Sequence, residues 1–392
     1  MTSTTDRQQQ VAEVFQRRFG VPPQLWARAP GRVDLMGSHT DYNLGYVLTL
    51  PIGRDTWIAA RPRADRHVRL YSLNLDAEST FDLDQLVPAA DPRWSNYVRG
   101  VAAELQIAGY ELCGFDGVIH STVPISSGLS SSAALECVTA VVFQALGGWT
   151  LDPVKMALLC QRAENRFVGV HCGILDQYTS CVGRAGCALL LDCRDLSSRP
   201  VLLAAGLQVV ICDTRSKREL SGSEYGLRRA QCEQGAQLLG VPALREVSLA
   251  QFEQAADCLP AEVAKRCRFI VEENARVLAL ADALAAGQRA AIRRLMADSF
   301  RGASELYEIG APAMDAMLDA MGNAPGVIGA RQAGAGFGGC LVALVEQPQV
   351  DAFTQAVQEV YFRATQIQPA VYAVEAAAGA GLLAIGWLGG VD

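Results

Sequence analysis

Residues 130–146 place the strongest constraint on how this chain can fold. They are predicted to form a helix, and Glu136 is the only charged residue among them. A helix that is apolar on all sides has to be buried, so the rest of the chain must supply elements that cover it. Half of the residues are hydrophobic and 19% are charged, a globular balance that excludes a disordered or collagen-like chain.

A loop rich in serine and glycine leads directly into this helix, with the sequence VPISSGLSSSAA at residues 123–134. Backbone N–H groups at the start of a helix lack partners within the helix, and the helix dipole is positive there, so such a loop is a ready anion-binding site. Ser130, Ser131 and Ser132 add hydroxyl groups that can donate hydrogen bonds or bind magnesium. The simpler alternative is a serine-capped helix, but one cap requires only one serine. The five serines in the loop therefore favour phosphate binding.

A second polar cluster lies nearer the N-terminus, in the sequence APGRVDLMGSHTDYN at residues 29–43. It contains Arg32, Asp34, His39 and Asp41, between apolar residues that would anchor a strand. One interpretation is a solvated turn between two strands. Because this one turn contains two acids and one of only four histidines, the cluster favours a site for a polyhydroxylated ligand, which needs donors and acceptors converging from a rigid loop.

Two carboxylates between these regions are candidates for catalysis. Glu164 is predicted late on a helix, and Asp176 lies between the apolar pair Ile-Leu and the pair Gln-Tyr. The alternative for Asp176 is that it caps a helix beginning near Gln177. A base near an acceptor hydroxyl and an acid that holds magnesium are what ATP-dependent phosphoryl transfer needs.

A third glycine-rich stretch, GAGFGG at residues 334–339, matches the pattern G-x-G-x-x-G. A strand and not a helix is predicted after it, so it is a poor dinucleotide-binding fingerprint. We interpret it as a loop whose backbone closely approaches a ligand or another loop. The chain has no Gly-Lys pair for a P-loop and no His-Arg-Asp motif of a protein kinase.

The net charge and the cysteines exclude several other classes of protein. The formal net charge of −7 argues against a general nucleic-acid binder or an anionic-membrane binder. The 12 cysteines include no Cys-x-x-Cys pair, so a structural zinc site is not expected. The first residues do not resemble a secretory signal, so reduced thiols and a cytoplasmic location are predicted. The longest uncharged stretch, residues 376–391, is shorter than a membrane span and is predicted to be a buried strand and turn.

Periodicity and helix-breaking residues predict a mixture of helices and strands. A helix capped by Thr5 or Asp6 ends at Gly20, and Asp152 with Pro153 begins another. The second half is mostly helical, at residues 219–239 and 261–296. Strands are predicted within residues 26–61 and at residues 68–73, 187–191, 209–212, 341–345 and 370–374. The length of 392 residues allows two or three domains, and a boundary near residue 200 is predicted.

Five stretches of the chain resemble, in the same order, the motifs of the GHMP kinases and, among them, of the galactokinase group. They are GRVDLMGSHTDYN at residues 31–43, the loop at 124–134, AENRFVGVHCGILDQ at 163–177, SEYGLRR at 223–229 and GARQAGAGFGGC at 329–340. The resemblance implies an α+β fold of two domains with the active site between them: an N-terminal domain like ribosomal protein S5 domain 2 (residues 1–200) and a C-terminal ferredoxin-like domain (residues 201–392). It also implies a kinase that uses ATP and Mg²⁺ to phosphorylate the anomeric hydroxyl of galactose.

The resemblance implies a role for each matching residue. Asp176 corresponds to the catalytic aspartate that accepts or orients the proton of the anomeric hydroxyl, and Arg32 to an arginine that steadies the transition state. Ser132 and Glu164 correspond to the Mg²⁺ ligands. The implied ATP-binding residues are Ser126, Ser127, Gly128, Leu129, Ser130, Ser131 and Ser132. The implied sugar-binding residues are Asp34, Ser38, His39, Thr40, Asp41, Gly173 and Tyr225. These roles suit a metaphosphate-like transition state, which needs positive charge and metal more than covalent help.

Two positions depart from the galactokinase pattern. Ser38 stands where a glutamate usually contacts the sugar 6-hydroxyl, and Asp34 stands where asparagine is usual. Plant L-arabinokinases are more similar at Asp34, and the short Ser38 leaves L-arabinose and galacturonate open as alternative sugars, because one charged hydrogen bond is worth roughly 1.5–3 kcal/mol.

The alternative hypothesis, from a different functional class, is a non-catalytic regulator that senses a sugar. Such regulators can lose a Ser-Ala pair from the phosphate loop, whereas this loop is complete and Asp176, Arg32 and Glu164 are all present. The sequence therefore favours the enzyme. It leaves open whether the protein is a monomer or a homodimer.

Overall fold

The computed structural model describes residues 4–125, 127–216 and 221–384. Its larger sheet contains eight strands: β1 (Leu25–Met36), β2 (Tyr46–Pro62), β3 (His67–Ser72), β4 (Ala77–Asp82), β5 (Phe115–Ser121), β6 (Cys187–Asp192), β7 (Ser198–Leu202) and β12 (Gly381–Leu382). The order is β12-β1-β2-β5-β3-β4, and β6 joins by pairing with β2 and β7. The long strand β2 pairs with β6 through its first residues and with β5 through its last ones.

Helices cover this sheet, and the most apolar of them is buried as predicted. The helices are α1 (Thr4–Phe19), α2 (Ser95–Ile107), α3 (Ser131–Gly147), α4 (Pro153–Arg162) and α5 (Leu175–Val182). β1, β2, α2, α4 and α5 all contact α3, and Glu136 within it has no exposed surface. The predicted cap of α4 is confirmed, because the Asp152 carboxylate accepts from the backbone N–H groups of Val154 and Lys155 at 3.0 and 3.1 Å.

The C-terminal half of the described chain forms a smaller sheet with its own helices. Its antiparallel strands are β8 (Leu207–Asp213), β9 (Val327–Gln332), β10 (Cys340–Glu346) and β11 (Ala370–Val374), in the order β11-β8-β10-β9. The helices are α6 (Ser221–Leu238), α7 (Leu249–Ala255), α8 (Ala261–Ala285), α9 (Arg289–Glu305), α10 (Pro312–Gly322) and α11 (Val350–Thr365). The helical region predicted at residues 261–296 is two helices, since the chain turns at Gly287, whose φ of +64° is the left-handed conformation that favours glycine.

One buried hydrophobic cluster joins the two sheets. Val33 and Leu50 of the larger sheet, Ile211 and Val342 of the smaller sheet and Val277 of α8 all belong to it. Because these residues come from both halves of the chain, the two sheets share a core and hold the loops between them in fixed positions. The boundary predicted near residue 200 falls inside β7, which pairs with β6 in the larger sheet.

The uncharged stretch at residues 376–391 differs from its prediction. Its only strand up to residue 384 is β12, and Leu382 is 56% exposed, so the prediction of a buried strand is wrong for the described residues. The strand lies at the edge of the larger sheet, where, among the described strands, it pairs with β1 alone. Residues 385–391 lie outside the described residues. Among the described helices, none is long and apolar enough to cross a membrane.

Candidate active site

A cleft of about 510 Å³ gathers residues that are far apart in the sequence. Its walls come from the end of β1 and the loop after it, the start of α3, residues 164–176, α6 and the glycine-rich loop. The predicted site residues that line it are Arg32, Asp34, Ser38, His39, Asp41, Gly128, Ser130, Ser131, Ser132, Glu164, Gly173, Asp176 and Tyr225. The structure therefore places most of the predicted sugar, nucleotide and metal residues around one space.

Thr40 of the predicted sugar-binding set does not line the cleft with its side chain. It is completely buried, and its hydroxyl lies 2.7 Å from the carbonyl oxygen of Gly37 and 2.5 Å from that of Tyr46. The hydroxyl therefore holds the loop after β1 in shape and does not face the cleft.

Two residues of the predicted ATP loop also lie behind the wall of the cleft. Leu129 is completely buried, and its carbonyl oxygen accepts from the backbone N–H of Arg32 at 3.1 Å. Ser127 is buried, and its hydroxyl donates to the Pro124 carbonyl oxygen at 2.9 Å. Their side chains position the loop, while Gly128 and Ser130 to Ser132 line the cleft. Ser126 lies outside the described residues.

Asp176 lies in the first turn of α5, and both of its carboxylate oxygens accept hydrogen bonds. Arg32 donates to Oδ1 from Nε at 2.8 Å and from Nη2 at 2.5 Å, and Ser130 Oγ donates to Oδ2 at 2.6 Å. The third guanidinium nitrogen of Arg32 donates to the carbonyl oxygen of Gly128 at 2.6 Å. The carboxylate is thus aligned by a cation from β1 and by a hydroxyl from the serine-rich loop.

Ser130 shows that the serine cluster is more than a helix cap. It precedes α3 with a φ of +60°, and its side chain caps no backbone N–H because the hydroxyl is bonded to Asp176. The positive end of the α3 dipole therefore opens toward the cleft beside Ser131 and Ser132, which suits an anionic ligand.

Glu164 lies in a single π-helical turn, residues Ala163–Val168, that follows α4. Such turns often occur at functional sites. Burial, followed by the nearby Asp176 charge, raises the pKa of Glu164 to about 7, although hydrogen bonds from Cys172 and Ser132 oppose this. The charged form of this carboxylate is therefore disfavoured when only protein groups surround it.

The oxygens of Ser132 and Glu164 suit Mg²⁺, which prefers oxygen ligands and usually binds through one or two protein groups, water and phosphate oxygens. Within the described residues, no group of three or more His, Cys, Asp or Glu side chains could hold a metal ion. The donor set thus fits an ion that shares its coordination with a nucleotide.

Sequence reasoning missed the partners of Glu164. The Gln177 side-chain amide donates to Glu164 at 2.6 Å and to Glu136 at 2.9 Å. Burial, followed by the charge of Glu164, raises the pKa of Glu136 well above its usual value. The cluster could have been predicted from Glu136 itself, since a lone charged residue in an apolar helix needs a buried partner.

Sequence reasoning also missed a buried ionic network beside the loop at residues 37–45, which follows β1 and is called the sugar-signature loop below. Arg331 of β9 is completely buried, and its guanidinium lies 3.5 Å from Asp34 and 3.4 Å from Glu273. Ser38 donates to the Asp34 carboxylate, and Arg331 donates to the Ser38 hydroxyl at 3.3 Å. Although burial alone raises the pKa of Asp34, Arg331 and Arg32 hold it below its usual value. The two residues that depart from the galactokinase pattern are therefore hydrogen-bonded to each other.

Asp41 and Gly173 are in direct contact at the cleft wall. A Cβ atom at Gly173 would overlap the Asp41 carboxylate, so Asp41 can occupy this position only because residue 173 has no side chain. Asp41 accepts from the backbone N–H of Tyr42 at 2.9 Å. Burial, followed by the charge of Asp176, raises the pKa of Asp41 to about 6.

The glycine-rich loop approaches another loop closely, as predicted. The backbone N–H of Cys340 donates to the carbonyl oxygen of Ser127 at 3.2 Å. A Cβ atom at Gly334 would lie 3.3 Å from the carbonyl oxygen of Gly128. The backbone N–H of Gly334 also donates to the Asp34 carboxylate. The glycine-rich loop therefore contacts both the serine-rich loop and the end of β1.

A second groove, of about 440 Å³, lies between α9 and β9 and is lined by residues such as Phe300, Arg301 and Ala330. It contains none of the predicted catalytic or binding residues. We assign the candidate site to the cleft around Asp176 because the paired charges and the perturbed carboxyl groups are found there.

Family models match three segments of the chain. GHMP kinases N terminal domain matches residues 96–184, Galactokinase galactose-binding signature matches residues 13–62, and GHMP kinases C terminal matches residues 280–363.

Relatives match nearly the whole chain. The galactokinase of Chloroflexus aggregans is 46% identical over 348 residues, covering 88% of this chain and 89% of the relative. That of Roseiflexus sp. is 42% identical over 377 residues, covering 95% and 96%. The structure of Lactococcus lactis galactokinase complexed with galactose is 34% identical and superposes with a TM-score of 0.92, covering 96% of this chain and 99% of the other. A mevalonate kinase structure at 16% identity and a TM-score of 0.62, covering 90% and 99%, shares the fold.

Proposed function

This chain belongs to the galactokinase family of the GHMP kinases, and we propose that it transfers the γ-phosphoryl group of ATP to the anomeric hydroxyl of galactose. The observation that carries the proposal is the Asp176 carboxylate, held between Arg32 and Ser130 in the cleft that the serine-rich loop and the sugar-signature loop share. The relatives named galactokinase favour galactose over L-arabinose and galacturonate. The complete set of charged groups in the cleft favours an enzyme over a sensor.

Asp176 is the group we propose to accept or orient the proton of the anomeric hydroxyl. Its hydrogen bonds to Arg32 and Ser130 hold one orientation of the carboxylate, so little reorganisation is needed when the hydroxyl arrives. Burial lowers the pKa of Arg32, but the charges of Asp176 and Asp34 outweigh burial and raise it. Arg32 therefore stays charged beside the reacting oxygen, where it stabilises the oxygen as its proton leaves.

The start of α3 is the group we propose to hold the phosphates of ATP. Its dipole and the hydroxyls of Ser131 and Ser132 face the cleft, and the residues of the loop from Ser126 to Ser130 complete the proposed ATP site. Ser132 and Glu164 are the proposed ligands of Mg²⁺, which when bound neutralises charge on the transferring phosphoryl group. The chain has only three lysines and no P-loop lysine, so local dipoles, Arg32 and the metal supply the positive field.

Asp34, Ser38, His39, Asp41, Gly173 and Tyr225 are the proposed sugar-site residues. All of them line the cleft, the first four from the end of β1 and the loop after it. Carboxylates and hydroxyls at converging positions suit the several hydroxyl groups of a hexose.

We further propose a division of the chain near residue 200 and a reducing, cytoplasmic environment. The N-terminal and C-terminal family models match on opposite sides of residue 200, which supports the division. All 12 cysteines lie within the described residues and none forms a disulfide, which supports reducing conditions.

Release of ADP, measured with galactose, L-arabinose and galacturonate side by side, tests the proposed reaction. We expect turnover with galactose and a fall in kcat of roughly 100- to 10,000-fold for Asp176→Asn, because a positioned general base contributes about that much. The matched control is Asp84→Asn, since Asp84 is an exposed carboxylate paired with an arginine outside the cleft. Absence of turnover with every sugar would refute the enzyme, and full activity of Asp176→Asn would refute the assigned base.

A further inference from the structure

A single side-chain amide joins the two buried carboxyl groups behind the cleft. The side-chain nitrogen of Gln177 donates to Glu164 Oε2 at 2.6 Å and to Glu136 Oε2 at 2.9 Å. An amide nitrogen carries two hydrogens, so these two bonds use its full donor capacity. Glu136 and Gln177 have no exposed surface, and Glu164 is 5% exposed. The amide is therefore held in one orientation by a carboxyl group on each side.

The three residues of this bridge belong to three different elements around the proposed metal site. Glu136 lies one turn after Ser132 on the same face of α3. Gln177 directly follows Asp176 in α5, and Glu164 lies in the π-helical turn after α4. The bridge consequently fixes the π-helical turn relative to the two helices that carry the proposed metal-binding serine and the proposed base.

The bridge engages one oxygen of Glu164 and leaves the other. The Gln177 amide and the Cys172 thiol both donate to Oε2, at 2.6 and 3.4 Å, so Oε1 takes neither of these bonds. Glu164 also lines the cleft. Oε1 is therefore the oxygen that is available to a cation bound beside Ser132.

The donors to Glu164 differ in charge from the donor to the proposed base. Asp176 is paired with the cation of Arg32, whereas the bonds to Glu164 come from the amide of Gln177, the thiol of Cys172 and a serine hydroxyl, which are neutral groups. An arginine beside Glu164 would neutralise the carboxylate and compete with a metal ion for its oxygens. A neutral donor orients the carboxylate and leaves its charge for the metal.

We propose that Gln177 is a positioning residue that orients Glu164 for Mg²⁺, and that Glu136 is the acceptor that fixes Gln177. Groups that hold a metal ligand from behind set its orientation and thereby the affinity for the metal. This role accounts for the one charged residue in a helix that is otherwise apolar. The inference rests on the proposed function, since it requires that Glu164 binds the metal of a metal–nucleotide complex.

Calorimetric titration of a non-hydrolysable ATP analogue, once with Mg²⁺ and once with a chelator in its place, tests the positioning. The ratio of the two affinities reports the contribution of the metal and does not depend on turnover. Glu136→Met and Gln177→Met each replace a polar side chain by an unbranched apolar one of similar length. We expect each variant to lose roughly 10- to 100-fold in the affinity with Mg²⁺, as is usual when a group behind a metal ligand is removed, and to keep the affinity without Mg²⁺.

Two control variants are expected to keep the ratio of the unmodified protein. Glu136→Gln is the matched control, because its amide oxygen can still accept from Gln177. Thr139→Val removes a different buried polar group from α3, a hydroxyl that donates to the Leu135 carbonyl oxygen at 2.7 Å. It therefore reports the effect of disturbing the helix without touching the bridge.

An unchanged ratio in Glu136→Met and Gln177→Met would overturn the positioning role and leave the bridge as a structural contact only. Equal losses of affinity with and without Mg²⁺ would overturn it as well, because a general disturbance of the ATP site changes both. A ratio lost in Glu136→Gln as fully as in Glu136→Met would refute Glu136 as the acceptor that fixes the amide.

A milder variant decides the question if a methionine variant does not fold. Gln177→Asn keeps the amide but is one CH₂ group shorter, so it cannot reach both carboxyl groups. We expect it to lower the ratio in the same way as Gln177→Met. An unchanged ratio in Gln177→Asn would count against the positioning role as it would in the methionine variants.

Glu164→Gln separates failure of this inference from failure of the proposed function. It removes the charge of the proposed metal ligand, and we expect it to lose most of the ratio. A full ratio in Glu164→Gln would refute the metal ligand assigned under the proposed function and the positioning role with it. A ratio that is lost in Glu164→Gln but kept in Gln177→Met would overturn the positioning role alone.

Discussion

Replacing Asp41 with asparagine is expected to stabilise the protein at neutral pH and to weaken sugar binding. Asp41 stands at the cleft wall against Gly173, and burial followed by the charge of Asp176 raises its pKa to about 6 from a usual value of 3.8. A charged carboxylate in this place therefore costs folding free energy that a neutral amide does not. The amide oxygen of the introduced asparagine retains an acceptor for the Tyr42 N–H.

The magnitude follows from the shift of the pKa. A shift of about 2 units corresponds to about 3 kcal/mol, and water in the open cleft screens part of it. We expect Asp41→Asn to gain about 1–2 kcal/mol in the free energy of unfolding at pH 7.5, and to gain about 2–4 °C in Tm.

The sign of the pH dependence separates this cause from better packing. The folded protein holds the Asp41 proton to a higher pH than the unfolded chain, so between about pH 4 and pH 6 the folded state binds more protons. The stability that Asp41 contributes therefore falls as the pH rises through this window. The advantage of Asp41→Asn is expected to be complete above pH 6 and to vanish below pH 4.

Thermal unfolding of the ligand-free protein, followed across pH 4 to 8, provides the measurement. Differences in Tm between variant and parent cancel the titration of all other groups. Asp84→Asn is the control at an exposed carboxylate. A variant that is no more stable than its parent at pH 7.5, or whose advantage persists at pH 4, would refute the assigned cause. A galactose affinity unchanged in Asp41→Asn would argue against Asp41 as a sugar ligand, since gains in stability at a site usually carry a loss of function.

Three further predictions concern the buried network and the thiols. Arg331→Met removes the buried cation that Asp34 and Glu273 share and is expected to lower the free energy of unfolding by about 3–5 kcal/mol, measured by urea unfolding. Ser38→Glu alone puts a second carboxylate beside Asp34 and is expected to destabilise the protein by about 1–3 kcal/mol, and adding Asp34→Asn is expected to recover most of this loss. The double variant is also expected to raise the ratio of kcat/KM for galactose over L-arabinose, and an unchanged ratio would contradict a role of residue 38 in sugar selection. Cys258 is exposed whereas the other cysteines are buried or half-buried, so Ellman's reagent is expected to label one thiol rapidly in the folded protein, and Cys258→Ser is expected to remove that phase.

Much of the fold followed from local features of the sequence. The cap at Asp152 and the burial of α3 were predicted because each depends on neighbouring residues. The division of the second half into α8 and α9 was missed, since a single glycine in a helical pattern does not reveal its own φ. The edge position of β12 was missed as well, because an apolar stretch does not show which layers cover it.

The sequence alone determined the chemistry that this chain can carry. The serines before an apolar helix, the acid at residue 176 and the sugar-signature loop were all recognisable because their chemistry resides in adjacent residue types. Only the tertiary structure decided how those groups are used. The bond from His39 to Ala335 spans 296 positions, and the buried partner of Asp34 is Arg331 of β9. Desolvation depends on which distant residues pack together, so the raised pKa of Asp41 arises only in the folded chain.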